Sequence, residues 1–134
     1  MKLDTIIEKI KEPMKSNGYK KKNLNWFKTN GTITLLFNIQ KSQYGSDLWY
    51  YNFGIGLNEL KDKPISCISM CQITERLDMK LNGKELSPDI LLKAILSWEN
   101  KYGDLKKLQN KAFEGKLPKT TTRHALTYLT TVKI

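Results

Sequence analysis

The sequence predicts an α+β fold: an antiparallel β-sheet of about four or more strands, arranged as a meander, with an N-terminal helix and C-terminal helices packed on one face. Residues 33–40 and 49–57 both alternate apolar with other side chains, a period of two that is typical of half-buried strands. The polar connection between them is rich in turn-forming residues, which favours an antiparallel pair. Apolar stripes at helical spacing lie on both sides of this pair and supply its cover.

The N-terminal segment has apolar residues at helical spacing, which predicts a first helix over Leu3–Ser16. Pro13 is expected to kink or end this helix, because proline lacks the N–H donor of the helical hydrogen bond. The pair Asn17-Gly18 is a favourable helix stop.

The segment that follows carries a basic cluster of Lys20, Lys21 and Lys22. We interpret it as a candidate basic patch on a solvated connection between helix and sheet. A first strand is expected from about Leu24 to Lys28, and Asn30-Gly31 predicts a two-residue hairpin turn before the next strand.

The two alternating segments predict one large apolar sheet face and one less apolar face. The second face carries Thr34, Asn38, Gln40, Asn52, Gly54 and Gly56. It has two interpretations, a solvated sheet surface or a shallow site floored by small residues. Gly54 and Gly56 are costly within a strand and indicate a bulge or the close approach of another segment.

The C-terminal half begins with a polar stretch over residues 58–64 and an ambiguous one over residues 65–77. We favour a fourth strand over about Cys71–Arg76, followed by a loop over Asp78–Leu86. Ser87-Pro88 predicts a helix start, and the apolar stripe continues to Tyr102.

A further helical stretch is expected to end at Gly115. The threonine-rich tail, residues 121–134, fits either a helix or a strand.

Length and composition indicate one domain, residues 1–134, with enough apolar residues for a core: hydrophobic residues make up 40% of the chain. No apolar run approaches the ~20 residues of a membrane helix, and the N-terminus lacks the apolar centre of a signal peptide. We therefore expect a cytoplasmic protein without membrane association. Cys67, Cys71 and the single His124 are too few for a zinc site, and we expect both cysteines to be small, buried or half-buried side chains. We expect no metal and no cofactor.

The formal net charge is +10, from 23 Lys+Arg against 13 Asp+Glu, and it suits an anionic partner. Arg76 and Arg123 are the only arginines. Because phosphate and base recognition favour arginine, sequence-specific nucleic-acid binding is disfavoured.

Short motifs spread along the whole chain carry a family resemblance. They are G-Y-K-K-K at 18–22, N-W at 25–26, N-I-Q-K-S at 38–42, Y-Y-N-F-G-I at 50–55 and C-Q-I-T-E-R at 71–76. In this combination the chain resembles the domain-of-unknown-function 4304 family, with Tyr19 where that family usually has phenylalanine. The resemblance implies a small bacterial α+β protein. It implies no agreed activity and no catalytic residues.

No nucleophile with a base, carboxylate pair or phosphate loop is apparent, so no catalytic residue is assigned and an enzyme has no support. One polar set is expected to converge if the second, third and fourth strands are adjacent: Gln40, Lys41, Ser42, Asn52 and Arg76. It fits either an anion or peptide contact, or a hydrogen-bond network that fixes the sheet.

These observations favour a cytoplasmic, non-enzymatic protein-interaction module, with an immunity or antitoxin-like role against an acidic partner as its concrete form. The alternative is a nonspecific nucleic-acid-binding protein that uses lysines and aromatic residues such as Trp49 and Tyr44. The sequence determines neither the partner nor the oligomeric state.

Overall fold

The computed structural model describes residues 3–42, 49–77 and 87–134, and these residues form an α+β fold around one antiparallel sheet. The sheet is a meander of six strands in chain order, β1 (Lys20–Lys22), β2 (Asn25–Asn30), β3 (Ile33–Lys41), β4 (Trp49–Leu57), β5 (Ile73–Arg76) and β6 (Thr120–Thr121). The helices are α1 (Leu3–Ser16), α2 (Pro88–Tyr102), α3 (Leu105–Glu114) and α4 (Arg123–Thr131). This architecture confirms the predicted fold class. None of the described helices is long and apolar enough to cross a membrane.

The helices cover the apolar face of the sheet, as predicted. Phe37 lies at the centre of this face, with its ring centroid 5.4 Å from that of Trp26 and 5.8 Å from those of Tyr51 and Phe53. Trp98 of α2 stacks on Phe53 at 4.9 Å. Buried side chains of all four helices join the same apolar cluster, so burial against the sheet holds the helices in place.

Helix α1 runs through Pro13, so the helix end predicted as one alternative at this residue is wrong. An internal proline costs a helix about 3 kcal/mol. Ile6, Ile10 and Met14 of the same helix are at most 1% exposed, and burial of one such side chain stabilises by about 1.5–3 kcal/mol. Tertiary burial therefore outweighs the proline.

The predicted stop of α1 at Asn17-Gly18 is confirmed. Gly18 has a φ of +89°, and the N–H groups of Gly18 and Tyr19 donate to the carbonyls of Lys15 and Met14, both at 3.0 Å. These two bonds form a Schellman ending, in which glycine takes the left-handed position.

The basic cluster forms the edge strand β1, which corrects its interpretation as a connection. Its residues pair with β2 in the register Lys20↔Phe27, Lys21↔Trp26 and Lys22↔Asn25. All three lysines are exposed. Charged side chains on a short edge strand are typical, because they oppose further strand pairing.

The expected first strand is β2, which begins and ends one or two residues later than predicted. Asn30 pairs with Ile33, so the two turn residues are Gly31 and Thr32 rather than Asn30 and Gly31. Gly31 has a φ of +62°, and glycine at the first turn position is a usual choice for such hairpins.

The face opposite the helices, here called the polar face, is partly covered by residues 58–72, here called the cover segment. The segment contains two short 3₁₀ turns, Asn58–Leu60 and Ile68–Met70. A Cβ atom at Gly56 would lie 2.1 Å from Cδ1 of Ile65, and one at Gly54 would lie 2.7 Å from Sγ of Cys71. The two glycines therefore allow the close approach of another segment, as predicted. The interpretation of a solvated sheet surface is wrong for the part of the polar face around these glycines.

The remaining elements follow the predicted order. The expected fourth strand is the shorter β5, and Ser87 caps α2 by accepting a hydrogen bond from the N–H of Ile90 at 3.3 Å. Helix α3 is followed by Gly115 at a φ of +69°. The ambiguous tail contains the last residue of β6 and all of α4. The predicted loop over Asp78–Leu86, and all of the β3–β4 connection after Ser42, lie outside the described residues.

Candidate functional site

Three of the predicted site residues meet on the polar face where the cover segment leaves it open. Asn52 of β4 donates through Nδ2 to Oε1 of Gln40 at 3.2 Å. Arg76 of β5 donates through Nε to Oδ1 of Asn52 at 3.2 Å and through Nη2 to Oε1 of Gln40 at 3.1 Å. The convergence expected from adjacent strands is therefore present.

The same contacts continue across the sheet as a row of amides, here called the amide row: Asn25, Asn38 and Asn52. These residues occupy matching positions of β2, β3 and β4 in the registers Asn25↔Asn38 and Asn38↔Asn52, and Asn52 matches Arg76. Nδ2 of Asn52 donates to Oδ1 of Asn38, and Nδ2 of Asn38 donates to Oδ1 of Asn25, both at 2.9 Å.

Every bond of the amide row runs in one direction because Arg76 can only donate. Asn52 must therefore present its oxygen to Arg76 and its nitrogen to Asn38, and the same orientation passes on to Asn25. Asn38 and Asn52 are each 8% exposed, and buried amides at this depth require such partners. The row is a saturated network that fixes the positions of its neighbours, and hydrogen bonds aligned in series strengthen one another.

Arg76 is held from a second direction by an aromatic ring. Its guanidinium carbon lies 4.3 Å from the ring centroid of Tyr50, within the range of a cation–π contact. Tyr50 is paired with Gln40 across β3 and β4. The guanidinium of an exposed side chain is thus fixed by one ring and two amide oxygens.

Sequence reasoning left Asn25, Asn38 and Tyr50 out of the site. Asn38 and Tyr50 occupy alternate positions of the strands that carry Gln40 and Asn52, so strand periodicity already placed them on the same face. Whether these residues contact Arg76 or one another depends on the strand register. The register in turn depends on the length of the β3–β4 turn, which could not be predicted from the sequence.

Strand geometry places Lys41 apart from this group. Lys41 pairs with Trp49 one position beyond the Gln40↔Tyr50 pair, and successive residues of a strand point to opposite faces. Ser42 follows the end of β3.

The candidate basic patch is divided between the two faces. Lys21 lies on the helix-covered side, with its Nζ 5.4 Å from the ring centroid of Trp26. Lys20 and Lys22 lie on the polar face, and Lys22 is level with Asn25. The amide row therefore has a lysine at one end and Arg76 at the other.

Cys67 and Cys71 are free thiols, both half-buried as expected. Burial, and secondarily the proximity of Cys67, raises the pKa of the Cys71 thiol to about 12. The thiol of Cys71 is therefore protonated at neutral pH and is a poor nucleophile. His124 is exposed at the start of α4. Within the described ranges, no three His, Cys, Asp or Glu side chains come together in a way that could hold a metal ion.

A cleft of about 330 Å³ lies between the end of β5 and α2. Its apolar wall includes Trp98 and Tyr102, and its rim carries Glu75 and Lys101. Arg76 also lines this cleft, so the cleft borders the Arg76 surface, and its other two charged residues, Glu75 and Lys101, are of opposite sign.

The fold and the site define a class: an antiparallel meander backed by helices, with a hydrogen-bonded amide row on the opposite face. Residues 10–126 match the family model described as "Domain of unknown function (DUF4304)". The chain belongs to this family. No curated protein and no solved structure is significantly similar to it.

Proposed function

We propose that this protein is a non-enzymatic, cytoplasmic protein-interaction module that binds an acidic partner protein through its polar face. An immunity or antitoxin-like role, in which binding blocks the partner, is the concrete form of the proposal. The observation that carries it is the fixed guanidinium of Arg76, presented with Gln40 at an exposed part of the polar face.

The electrostatics of this surface support an acidic partner. The formal net charge is +10, and Lys20 and Lys22 extend the positive charge of Arg76 to the far edge of the sheet. Complementary charge speeds association and disfavours wrong partners. The open edge of β1 adds exposed lysines that would meet a partner approaching the polar face.

The rigidity of the surface also supports a binding role. Asn38 and Asn52 use their amide groups within the sheet, so they hold Arg76 in place and present little of their own surface to a ligand. A side chain fixed before binding loses little conformational entropy on binding. This arrangement fits recognition of a partner better than proton transfer, which needs a base with a free lone pair near its substrate.

Nonspecific nucleic-acid binding is the second candidate, and the exposed lysines of β1 favour it. The two candidates differ in how affinity depends on salt. Each phosphate neutralised by a lysine releases a counterion, so the affinity for an oligonucleotide falls linearly with salt on a double-logarithmic scale. A protein interface with a buried anchor instead shows its salt dependence mainly in the association rate.

The test measures binding to two ligands between 0.05 and 0.3 M NaCl, a range of about 2.5-fold in screening length. One ligand is a random oligonucleotide, and the other is the protein encoded by the neighbouring reading frame. We expect weak oligonucleotide binding at ~0.15 M salt and saturable partner binding. Tight oligonucleotide binding with a steep salt slope, together with no binding of the neighbouring protein, would overturn the proposal.

A triple variant, K20A/K21A/K22A, shows whether β1 takes part. We expect it to slow association with the partner. The matched control is K9A/K11A/K15A, which removes the same charge from exposed positions of α1, on the opposite side of the sheet. Equal effects of the two triple variants would indicate attraction by net charge alone.

A further inference from the structure

We infer that Arg76 and Gln40 together form a binding site, here called the carboxylate site, for a single carboxylate. This carboxylate is the side chain of an aspartate or glutamate on the partner protein. This inference rests on the proposed function and specifies the chemical group that the polar face recognises. It concerns two outward-facing groups, the terminal N–H groups of the Arg76 guanidinium and the side-chain NH₂ of Gln40.

The groups that face outward at this site are donors. A guanidinium carries five N–H groups in a rigid plane. Arg76 directs Nε–H to Asn52 and one Nη2–H to Gln40, and the N–H groups of Nη1 and the outer N–H of Nη2 have no acceptor among the described residues. Oε1 of Gln40 accepts from Asn52 and Arg76, so its Nε2 points away from both.

One N–H of Nη1 and the outer N–H of Nη2 are parallel, and a carboxylate binds such a pair through both oxygens. The ion pairs in the described part of the chain are Lys28–Glu99 and Lys116–Glu114. No described carboxylate therefore occupies the terminal edge of Arg76. Stacking on Tyr50 fixes the plane in which a ligand must lie.

The charge around the site matches one carboxylate better than a phosphate chain. The residues next to Arg76 along the row are the neutral amides of Asn52, Asn38 and Asn25. The next cation in the row, Lys22, lies four strands away, about 19 Å at the usual strand spacing. A nucleic-acid backbone is bound by successive cations, whereas one guanidinium balances one carboxylate.

The test follows Arg76 directly by NMR. With only two arginines in the chain, a spectrum of the arginine Nε–H groups contains one signal from Arg76 and one from Arg123. The probe is an acetylated hexaglutamate peptide at low salt. We expect the Arg76 signal to shift with saturation while the Arg123 signal, from an exposed residue on α4, stays in place. Parallel shifts of both signals would show attraction by net charge and overturn the proposal.

Two variants distinguish a loss of peptide binding at the carboxylate site from a loss of folding. R76K keeps the charge but lacks the planar pair of N–H groups, and we expect ~10-fold or greater loss of peptide affinity. The matched control R123K should bind as the unchanged protein does. Q40E keeps the accepting oxygen of Gln40 and adds a negative charge beside Arg76. It should therefore neutralise the positive charge of the carboxylate site without breaking the hydrogen bonds from Asn52 and Arg76. Peptide binding unchanged in Q40E would contradict the proposal, even where R76K alters folding.

The probe series also separates this inference from the proposed function. A hexanucleotide tested beside the peptide should not shift the Arg76 signal at matched concentration, and an equal shift would refute the carboxylate assignment. The partner protein is then titrated against R76K and R123K. If R76K binds the partner as tightly as R123K does, the proposed interaction function stands and the inferred carboxylate site is wrong.

Discussion

Trp98 joins the helix layer to the sheet at the level of a single side chain. It is 7% exposed and lies between Phe53 of β4 and Tyr102 of its own helix, at ring-centroid distances of 4.9 and 4.6 Å. Its indole Nε1 has no hydrogen-bond partner in the described part of the chain. The stability that Trp98 provides therefore comes from packing rather than from its polar atom.

We expect Trp98→Ala to lower the free energy of unfolding by about 3–5 kcal/mol, because it removes a large buried ring and leaves a cavity against Phe53. Chemical denaturation followed by circular dichroism measures this. Leu96→Ala on the same helix is the control: Leu96 is 45% exposed, and its loss should cost far less. Equal costs for the two variants would contradict the packing role of Trp98.

The two cysteines lie in different local environments although only three residues separate them. The raised pKa of Cys71 results mainly from burial beside Gly54. In the folded protein the pKa of this thiol is about 12, whereas the usual pKa of a cysteine thiol is 9.0. Its contribution to stability is complete below pH 9 and decreases as the pH rises toward 12, since the unfolded chain then ionises first.

We expect two rates when an excess of a thiol-specific disulfide reagent reacts with the folded protein at pH 8. Thiolate is the reacting species, so Cys71 should react slowly, at a rate that reports opening of the cover segment. Cys67→Ser should remove the fast phase and Cys71→Ser the slow one. A single rate for both thiols would show that Cys71 is not protected.

At the scale of elements, the cover segment packs closely against β4 at two positions where the strand has glycine and therefore no side chain. The side chain of Ile65 lies over Gly56, while Ile68 and Cys71 lie over Gly54. Gln72 ties the end of the segment to the strand, because its Oε1 accepts a hydrogen bond from the N–H of Leu57 at 2.8 Å. The cover segment thus covers part of the polar face although most of its residues are in neither a helix nor a strand.

Gly56→Ala tests this close packing, and we expect it to destabilise by about 1–3 kcal/mol, since an added methyl forces the neighbours apart. The clash is with the side chain of Ile65, so a smaller residue there should relieve part of it. In a double-mutant cycle with Ile65→Ala, the double variant should lose less stability than the sum of the two single losses. Additive losses would mean that Ile65 does not contact Gly56.

Elements with a clear apolar period or a cap could be predicted from sequence, and elements formed by pairing alone could not. Period-two alternation identified β3 and β4, and Ser87 and Gly115 marked helix ends. Three consecutive lysines carry no alternation, so β1 depends on its hydrogen bonds to β2. The helix does not end at Pro13, because local propensity takes no account of how deeply Ile10 and its neighbours are buried.

For the whole molecule, the meander topology decides which site residues meet. Neighbouring strands in chain order place Gln40, Asn52 and Arg76 together, and this much followed from the sequence. The extension of the row to Asn25 needed the register of four strands, and the opposite orientation of Lys41 needed the exact pairing with Trp49. Sequence reasoning therefore identified the centre of the site but not its full extent.

The positive charge is also a property of the whole molecule, and it should act on stability as well as on binding. A formal net charge of +10 repels itself more in the compact state than in the unfolded chain. Raising NaCl from 0.01 to 0.1 M shortens the screening length from about 30 to about 10 Å. We expect the melting temperature to rise by several degrees, the equivalent of ~1 kcal/mol.

Graded charge variants on one exposed strand show whether repulsion is the cause of this rise. K20Q/K22Q lowers the formal net charge from +10 to +8, because each substitution removes one positive charge, and K20E/K22E lowers it to +6, because each also adds a negative one. The salt-induced rise in melting temperature should decrease in that order. A rise of the same size in all three proteins would mean that the salt acts on the burial of apolar surface instead, because that effect does not depend on net charge.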